Sequence, residues 1–212
     1  MRCFAILLAA GLSSRFGGQN KLLAPFRGKP LARHTLDLVC GMGCFEKIFF
    51  VYADKAAASL ADGLPVTVVY NPAPEKGQGE SAWLGLMAAV TASDQSDQSD
   101  VYYMFFPCDQ PLLDQGTVRL LLDAARPGCI TEPACAGGNS SGGNRSPSLF
   151  CASFRDELLA LEQGALPRLL KARHPRSVIT VEIANPALLA DIDTLEDLQF
   201  WESRTMQLAI SN

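Results

Sequence analysis

Strand-like and helix-like segments alternate along this chain of 212 residues. Seven short runs rich in aliphatic and aromatic residues have the composition of buried strands, at 3–9, 47–53, 66–70, 101–106, 129–133, 148–152 and 178–183. Apolar residues recur at helical spacing at 31–40, 81–90, 117–125, 154–161 and 195–201, with Asp114 and Thr194 as candidate caps. This alternation predicts an α/β fold with a mostly parallel sheet and helices on both faces. The length predicts one domain over residues 1–212.

Charge and cysteine content narrow the class of protein. A formal net charge of -4 argues against the broad basic surface that nucleic-acid binding needs. No apolar run approaches the roughly 20 residues of a membrane-spanning helix, and the first residues lack the pattern of a signal peptide. The seven cysteines are odd in number and scattered, which is typical of reduced thiols. We therefore expect a cytoplasmic protein with neither a nucleic-acid partner nor a membrane partner.

A loop of small residues follows the first predicted strand and carries two cations, Arg15 and Lys21. Small side chains let backbone N–H groups approach phosphate oxygens, and the two cations supply the opposite charge. The loop lies where open α/β folds bind ligands, at the carboxyl edge of the sheet. It satisfies neither the P-loop pattern nor the G-x-G-x-x-G pattern, so a surface turn with solvated cations is the alternative.

The order of residues in this loop resembles the signature of the nucleotidyltransferases that mature the molybdenum cofactor, and most closely their cytidylyltransferase branch. The matching string is Leu8-Ala9-Ala10-Gly11, Ser13, Arg15, Gly17, Lys21-Leu22, Gly28, Pro30-Leu31. The resemblance implies a Rossmann-like three-layer α/β/α sandwich of the nucleotidyltransferase type, with a mostly parallel, mixed sheet. It implies a loop around the triphosphate of CTP or GTP, and the implied nucleotide-binding residues are Leu8, Ala9, Ala10, Gly11, Ser13, Ser14, Arg15, Gly17 and Lys21. The guanylyl branch usually has glycine where Ala10 stands, which favours CTP.

Asp109 follows the predicted strand 101–106 within the sequence FFPCDQP. A carboxylate at that edge of the sheet can hold Mg2+ between phosphate oxygens, although a turn or capping aspartate is the alternative. The family carries a similar D-Q-P pattern, so the resemblance implies a metal ligand at Asp109 and catalytic roles for Arg15, Lys21 and Asp109. The neighbouring Cys108 is interpreted as structural, because neither histidine of the chain is near it in sequence.

The segment DIDTLED, residues 191–197, carries a second pair of aspartates. Strand-like alternation places Asp191 and Asp193 on one face, and Thr194 with Asp197 has the spacing of a capping box. The family ends in a similar D-I-D-T-P-E-D, with proline where Leu195 stands here. The resemblance implies that Asp193, favoured over Asp191, completes the Mg2+ site.

Two further regions resemble the family on the base side and the acceptor side. The stretch from Asn71-Pro72 to 86 matches its N-P, G-Q, Ser and G-L pattern. The resemblance implies that Asn71, Gly77, Gln78 and Ser81 bind the nucleotide, with Gln78 and Ser81 as candidates for hydrogen bonds to the base. Gly79 and Glu80 depart from the small hydroxyl residues of relatives. Residues 146–161 resemble the acceptor side, with Ser146 and Arg168 as candidate contacts. A helix-surface arginine is an equally good interpretation of Arg168.

The predicted reaction is transfer of CMP from CTP to the terminal phosphate of the molybdopterin cofactor, with Mg2+ and release of pyrophosphate. A molybdenum enzyme is a possible acceptor protein for the product. The alternatives are a nucleotidyltransferase that uses GTP or a sugar phosphate, and a noncatalytic cofactor carrier; a glycosyltransferase is disfavoured. The run 93–100 is interpreted as a solvated loop, and the glycine- and serine-rich run 136–144 as a flap over the site.

Overall fold

The computed structural model describes residues 1–93, 100–135, 145–162 and 164–210. The predicted flap at 136–144 and most of the predicted solvated loop at 93–100 lie outside these ranges. Within them, no helix has the length and apolar character needed to span a membrane.

Nine strands occur in the described residues: β1 Arg2–Ala9, β2 Pro25–Phe26, β3 Lys29–Pro30, β4 Lys47–Tyr52, β5 Thr67–Tyr70, β6 Val101–Pro107, β7 Ile130–Cys135, β8 Ser148–Cys151 and β9 Val178–Ile183. Seven of them form one sheet in the order β5-β4-β1-β6-β8-β7-β9, and β2 and β3 form a separate hairpin. All neighbours in the large sheet run parallel except β8, which is antiparallel to both β6 and β7. The predicted mostly parallel sheet is confirmed.

The helices in the described residues are α1 Leu31–Met42, α2 Lys55–Ala58, α3 Gln78–Ala92, α4 Gln115–Asp123, α5 Arg155–Leu159, α6 Arg168–Arg173 and α7 Leu195–Ile210. The chain passes from β1 through α1 to β4, and later from β5 through α3 back across to β6. Right-handed crossovers in these opposite directions place α1 and α3 on opposite faces of the sheet.

Both predicted caps are confirmed by hydrogen bonds. The Asp114 carboxylate accepts a hydrogen bond of 2.7 Å from the Thr117 N–H at the start of α4. At the start of α7, the Asp197 N–H donates to the Thr194 hydroxyl at 3.1 Å, and the Thr194 N–H donates to the Asp197 carboxylate at 2.9 Å. This reciprocal pair is a capping box, and it ends the segment that carries Asp193.

The strand-like interpretation of 191–193 is wrong, because these residues belong to no strand. The Ile192 N–H donates to the Asp109 carbonyl at 2.9 Å, and the Ile192 side chain is fully buried in a small core with Phe16 and Leu198. Burial of the middle side chain leaves Asp191 and Asp193 on the other side, where both line the same cleft. Asp191 and Asp193 therefore share one face, as predicted, although they do not belong to a strand.

The main core lies on both sides of β1, β4 and β6, whose aromatic and aliphatic side chains are almost all buried. Gly85 of α3 shows how closely helix and sheet approach. A Cβ at this position would lie 2.4 Å from Ile6 Cγ2 and 2.9 Å from Val51 Cγ2. The close contact fixes α3 against β1 and β4, and thereby fixes the start of α3 at the carboxyl edge of the sheet.

Candidate functional site

A cleft of about 440 Å3 opens at the carboxyl ends of β1 and β6. Strand β1 lies between β4 and β6, and the connections from β1 and from β5 leave in opposite directions. This is the point of an open α/β sheet at which the strand order reverses and a crevice forms. The loop after β1 forms one wall of the cleft, and Asp109, two residues beyond β6, forms the opposite wall.

Lys21 lies between two carboxylates at the centre of the cleft. Its Nζ is 2.7 Å from Asp109 Oδ2 and 2.7 Å from Asp193 Oδ1, and its side chain is only 11% exposed. Arg15 Nη2 lies 2.9 Å from the other Asp193 oxygen, with 70% of the arginine side chain exposed. Two cations and two of the predicted acidic residues thus form one ion-pair network.

The pKa shifts follow from this network. Burial disfavours the charged form of Lys21, but Asp109 and Asp193 outweigh it and raise the pKa of the ammonium. Burial also opposes ionisation of Asp193, yet Lys21 and Arg15 lower the pKa of that carboxyl. Burial, together with the nearby Asp109 and Asp193 carboxylates, raises the pKa of Asp191 to about 7. The site therefore holds an excess of acidic groups around one buried ammonium.

The donor set fits a hard divalent cation. Asp109 Oδ1 is buried and accepts no hydrogen bond, and carboxylate oxygens are the ligands that Mg2+ and Mn2+ prefer. Across the described part of the chain, no three His, Cys, Asp or Glu side chains are grouped as a preformed metal site. The Lys21 ammonium instead lies between Asp109 and Asp193. A metal bound by these carboxylates would take over part of the neutralising role that Lys21 has here.

The loop after β1 is folded by its own contacts. The Phe16 side chain is 1% exposed and anchors the loop in the small core. The Ser13 hydroxyl accepts a hydrogen bond of 3.1 Å from the Lys21 N–H, and the Ser13 carbonyl accepts one of 2.9 Å from the Phe16 N–H. Ser13 and Gly17 have positive φ angles, of 51° and 64°. The loop therefore turns tightly, and Ser13 ties its start to the backbone of Lys21.

Most of the predicted site residues line this cleft. They are Leu8, Ala10, Gly11, Ser13, Ser14, Arg15, Lys21, Gln78, Ser81, Asp109, Ser146, Arg168 and Asp193. Four predicted nucleotide-binding residues do not line it: Ala9, Gly17, Asn71 and Gly77. Ala9 is buried in the main core, and Gly17 and Gly77 have positive φ angles in turns beside the cleft.

Asn71 is fully buried and positions its neighbours. Its Nδ2 donates to the Ser81 hydroxyl at 2.9 Å, and its Oδ1 accepts from the Ala73 N–H at 2.9 Å. The side-chain amide is therefore used within the protein, and its effect on the cleft passes through the orientation of Ser81.

Glu80 does not line the cleft, but lines a separate, mostly apolar cavity of about 160 Å3 together with Trp83 and Phe105. Glycine is required at the neighbouring position 79 for a steric reason, because a Cβ there would lie 2.3 Å from the Ala165 carbonyl oxygen. The glycine at position 79 therefore allows the chain at 164–165 to pack directly on the start of α3.

Cys108, although adjacent to Asp109, is 1% exposed, and burial raises the pKa of its thiol well above the usual range. All seven cysteines are free thiols, as predicted. Sequence reasoning gave less weight to Asp191, which lines the cleft beside Asp193, and it missed Gln110. The buried Gln110 amide donates to the Leu189 carbonyl at 3.2 Å and to the Ser146 carbonyl at 3.3 Å. The D-Q-P pattern was the available signal for this residue.

Comparison with known proteins relates the whole chain to one family. The chain matches the model of the MobA-like NTP transferase domain over residues 5–178. Nicotine blue oxidoreductase from Paenarthrobacter nicotinovorans is 28% identical over 91% of this chain and 93% of that protein. A molybdenum cofactor guanylyltransferase from Cupriavidus metallidurans is 26% identical over 93% of each chain.

Solved structures show the same fold. A nucleotidyl transferase from Methanothermobacter thermautotroptrophicus superposes with a TM-score of 0.80 at 21% identity, covering 98% of this chain and 99% of that one. The complex of Rv0371C from Mycobacterium tuberculosis with manganese superposes with a TM-score of 0.67 at 22% identity, covering 96% and 99%.

Proposed function

We propose that this chain, which belongs to the family of MobA-like NTP transferase domains and is a nucleotidyltransferase, uses CTP as its donor. It transfers CMP to the terminal phosphate of the molybdenum cofactor. The observation that carries the proposal is the position of Lys21. Its ammonium lies between Asp109 and Asp193 beneath a loop of small residues, at the point where the strand order reverses. The cleft thereby combines a loop that can approach phosphates, cations that can neutralise them and carboxylates that can hold a metal ion.

The proposed reaction needs no general base. An oxygen of the acceptor's phosphate monoester, already anionic, attacks the α-phosphorus of CTP. The bond between the α-phosphorus and the oxygen that leads to the β-phosphorus breaks, and its electrons leave with pyrophosphate. The product is a diphosphate ester that joins the acceptor to cytidine. Positioning and neutralisation of charge are the tasks left to the protein.

Arg15 and Lys21 perform the neutralisation. Both side chains line the cleft, and Arg15 is exposed enough to follow an incoming phosphate chain. On binding, Lys21 exchanges a carboxylate contact for phosphate oxygens, and Arg15 stabilises the charge that develops on the departing pyrophosphate. Asp109 and Asp193 would hold a divalent cation, Mg2+ in this proposal, which would supply positive charge to neutralise the phosphates of the nucleotide.

CTP is the proposed donor because Ala10, which lines the cleft, stands where the guanylyl branch usually has glycine. Gln78 and Ser81 are the proposed base contacts at the start of α3. The Ser81 hydroxyl accepts from Asn71, which leaves its own proton to donate to an acceptor atom of the base. GTP is the second candidate, because the relative from Cupriavidus metallidurans is named a guanylyltransferase.

Thermal melting with Mg2+ and each nucleoside triphosphate tests the donor. A ligand at 100 times its dissociation constant adds about 2.7 kcal/mol of stability, which raises the Tm of a chain of this size by roughly 5–10 °C. We expect this shift with CTP. Equal shifts with CTP and GTP would remove the assignment of the base, and a shift with GTP alone would establish the second candidate.

Pyrophosphate release tests the reaction. We expect release that depends on molybdopterin cofactor and is lost in Asp109→Asn, while CTP still raises the Tm of that variant. Nucleotide binding without pyrophosphate release for any phosphorylated acceptor would identify a carrier and refute the enzyme.

A further inference from the structure

The small cavity that Glu80 lines lies between α3 and the chain that leads from α5 to α6. It shares no lining residue with the nucleotide cleft. Buried apolar side chains form much of its wall, among them Leu86, Phe105 and Leu158. Trp83 and Glu162 are exposed members of the lining, so the cavity opens to the surface. Its volume of about 160 Å3 is close to the roughly 150 Å3 of an apolar cavity that holds one benzene ring.

Glu80 is a buried carboxylate without a partner. The residue is only 9% exposed. Within the described part of the chain, its carboxylate accepts no hydrogen bond and forms no ion pair, not even with Lys76 four positions earlier. Burial of a carboxylate is costly unless a cation or a hydrogen-bond donor compensates it. A cation that entered the cavity would therefore be bound at this group.

The position of Glu80 in its helix does not supply the missing partner. Glu80 is the third residue of α3, where a glutamate can accept a hydrogen bond from the N–H of the capping residue. That residue is Gly77, and its N–H donates to the Pro74 carbonyl at 3.0 Å instead. The helix dipole offsets only part of the cost of burying the charge.

The lining of the cavity favours a cation over an anion. Glu80 and Glu162 belong to it, and no lysine, arginine or histidine is among the described residues that form it. The rings of Trp83 and Phe105 add aromatic faces, which attract cations. The larger volume beside Ser146 is different, because Arg145, Arg168 and Lys171 line it.

The walls of the cavity are held in place by contacts outside it. The Trp83 Nε1–H donates to the Leu159 carbonyl at 3.2 Å, which ties α3 to the end of α5. The Phe105 ring packs edge-to-face on the Phe150 ring, with 5.6 Å between the ring centres. The tight contact between Gly79 and the chain at 164–165 closes a third side. The cavity is therefore formed before a ligand enters, as is usual for small-molecule sites.

We propose that this cavity is a second ligand site, which binds a small organic ammonium ion with an apolar body of about one six-membered ring. Glu80 pairs with the ammonium group, while Trp83, Leu86 and Phe105 enclose the apolar body. Glu162, at the mouth, adds a weaker attraction because it is exposed to water. The inference does not depend on the proposed function, since the site and the nucleotide cleft have no residue in common.

Calorimetric titration of the full chain with benzylammonium chloride near neutral pH tests the site. Benzyl alcohol and benzoate have nearly the same shape but are neutral and anionic, so they serve as comparison ligands. We expect one equivalent of benzylammonium to bind with a Kd of about 1 mM or lower, which is within reach of a ligand of this size. Benzyl alcohol should bind about tenfold more weakly or worse, and benzoate should not bind.

Glu80→Gln keeps the shape of the side chain and removes its charge. We expect this variant to bind benzylammonium about tenfold more weakly than the wild type, and benzyl alcohol as the wild type does. Its Tm without ligand should not fall, because the carboxylate has no partner to lose. Glu75→Gln, at an exposed glutamate shortly before α3, is the matched control and should bind all three ligands as the wild type does.

The indole N–H signals in a nuclear magnetic resonance titration locate the ligand. The chain has two tryptophans, Trp83 in the lining of the cavity and Trp201 in α7, and Trp201→Phe assigns their signals. We expect benzylammonium to shift the Trp83 signal and to leave the Trp201 signal in place. The site would be overturned if benzylammonium bound Glu80→Gln as tightly as the wild type, bound no more tightly than benzyl alcohol, or left the Trp83 signal unchanged.

Discussion

Replacement of Lys21 by methionine should have opposite effects on protein stability and on metal affinity. Methionine retains most of the length of the side chain and removes the charge. The variant loses two contacts of 2.7 Å, to Asp109 and to Asp193. It also removes the attraction of the Lys21 cation for Asp191, whose pKa burial and the neighbouring carboxylates already raise to about 7.

The size of the effect follows from the burial of these groups. Removing one partner from a fully buried ion pair costs about 3–5 kcal/mol. Here the Asp109 and Asp193 side chains are 20% and 30% exposed, so water compensates part of the loss. We expect a net destabilisation of about 2 kcal/mol, which lowers the Tm of a chain of this size by roughly 4–8 °C.

Metal affinity should change in the other direction, because the ammonium competes with a cation for the same two carboxylates. In the absence of nucleotide, we expect Lys21→Met to bind Mn2+ more tightly by about tenfold, equivalent to about 1.4 kcal/mol. Spin resonance of free Mn2+ measures this affinity, and differential scanning fluorimetry at pH 7.5 measures the Tm. Lys55→Met, an exposed lysine of α2, is the control. A Lys21→Met variant that melts and binds Mn2+ as Lys55→Met does would refute the ion-pair network as described.

Two further substitutions test single features of the site. The pKa of Asp191 in the folded state is about 7, above its ordinary value, so the folded state binds an extra proton and loses stability as the pH rises from about 4 to 7. We therefore expect the Tm of metal-free Asp191→Asn to be higher than that of the wild type at pH 8 and equal to it near pH 4. A constant difference in Tm across this range would contradict the assignment. Gly79→Ser should lower the stability by about 1–3 kcal/mol, because its Cβ would overlap the Ala165 carbonyl. Gly116→Ala, at the same second position of its helix but with its nearest contact at 3.6 Å, should leave the Tm unchanged or raise it, and equal losses in both variants would show that the close contact is not the cause.

Local patterns in the sequence were sufficient to predict the architecture and the proximity of Lys21 and Asp109 in the candidate site. Alternating periodicity predicted the seven strands of the large sheet to within about two residues, because buried strands and amphipathic helices differ in their hydrophobic period. Lys21 and Asp109 lie 88 positions apart, yet both follow strands that are neighbours in a parallel sheet. The carboxyl ends of such strands share one edge, so the two residues could be predicted to meet.

What the sequence did not reveal depends on packing between distant segments. Asn71 fits a nucleotide-binding pattern, but its amide is used to orient Ser81, and only the fold decides between the two roles. In the sequence, Gly79 is only a departure from relatives. The structure explains it, because the chain at 164–165 packs directly against this position. Helix α6 is short and follows Pro167, so it has too few turns to show a hydrophobic period.

Glu132 forms ion pairs with Arg145 and Lys171, and no local pattern in the sequence predicts this cluster. Its members come from a strand, the segment before β8 and a short helix, and nothing in their spacing connects them. A charged residue, Glu132, within a predicted strand is the single sequence signal, and it gives no indication of which cations reach it.

A crystal structure with CTP and Mn2+ tests the central claim most directly, with the anomalous scattering of manganese as the measurement. We expect the manganese peak within coordination distance of Asp109 and Asp193, the triphosphate against the loop from Ala10 to Lys21, and the Lys21 ammonium moved from a carboxylate to a phosphate oxygen. A nucleotide bound elsewhere, or a manganese peak away from Asp109 with Lys21 still between the two carboxylates, would contradict it.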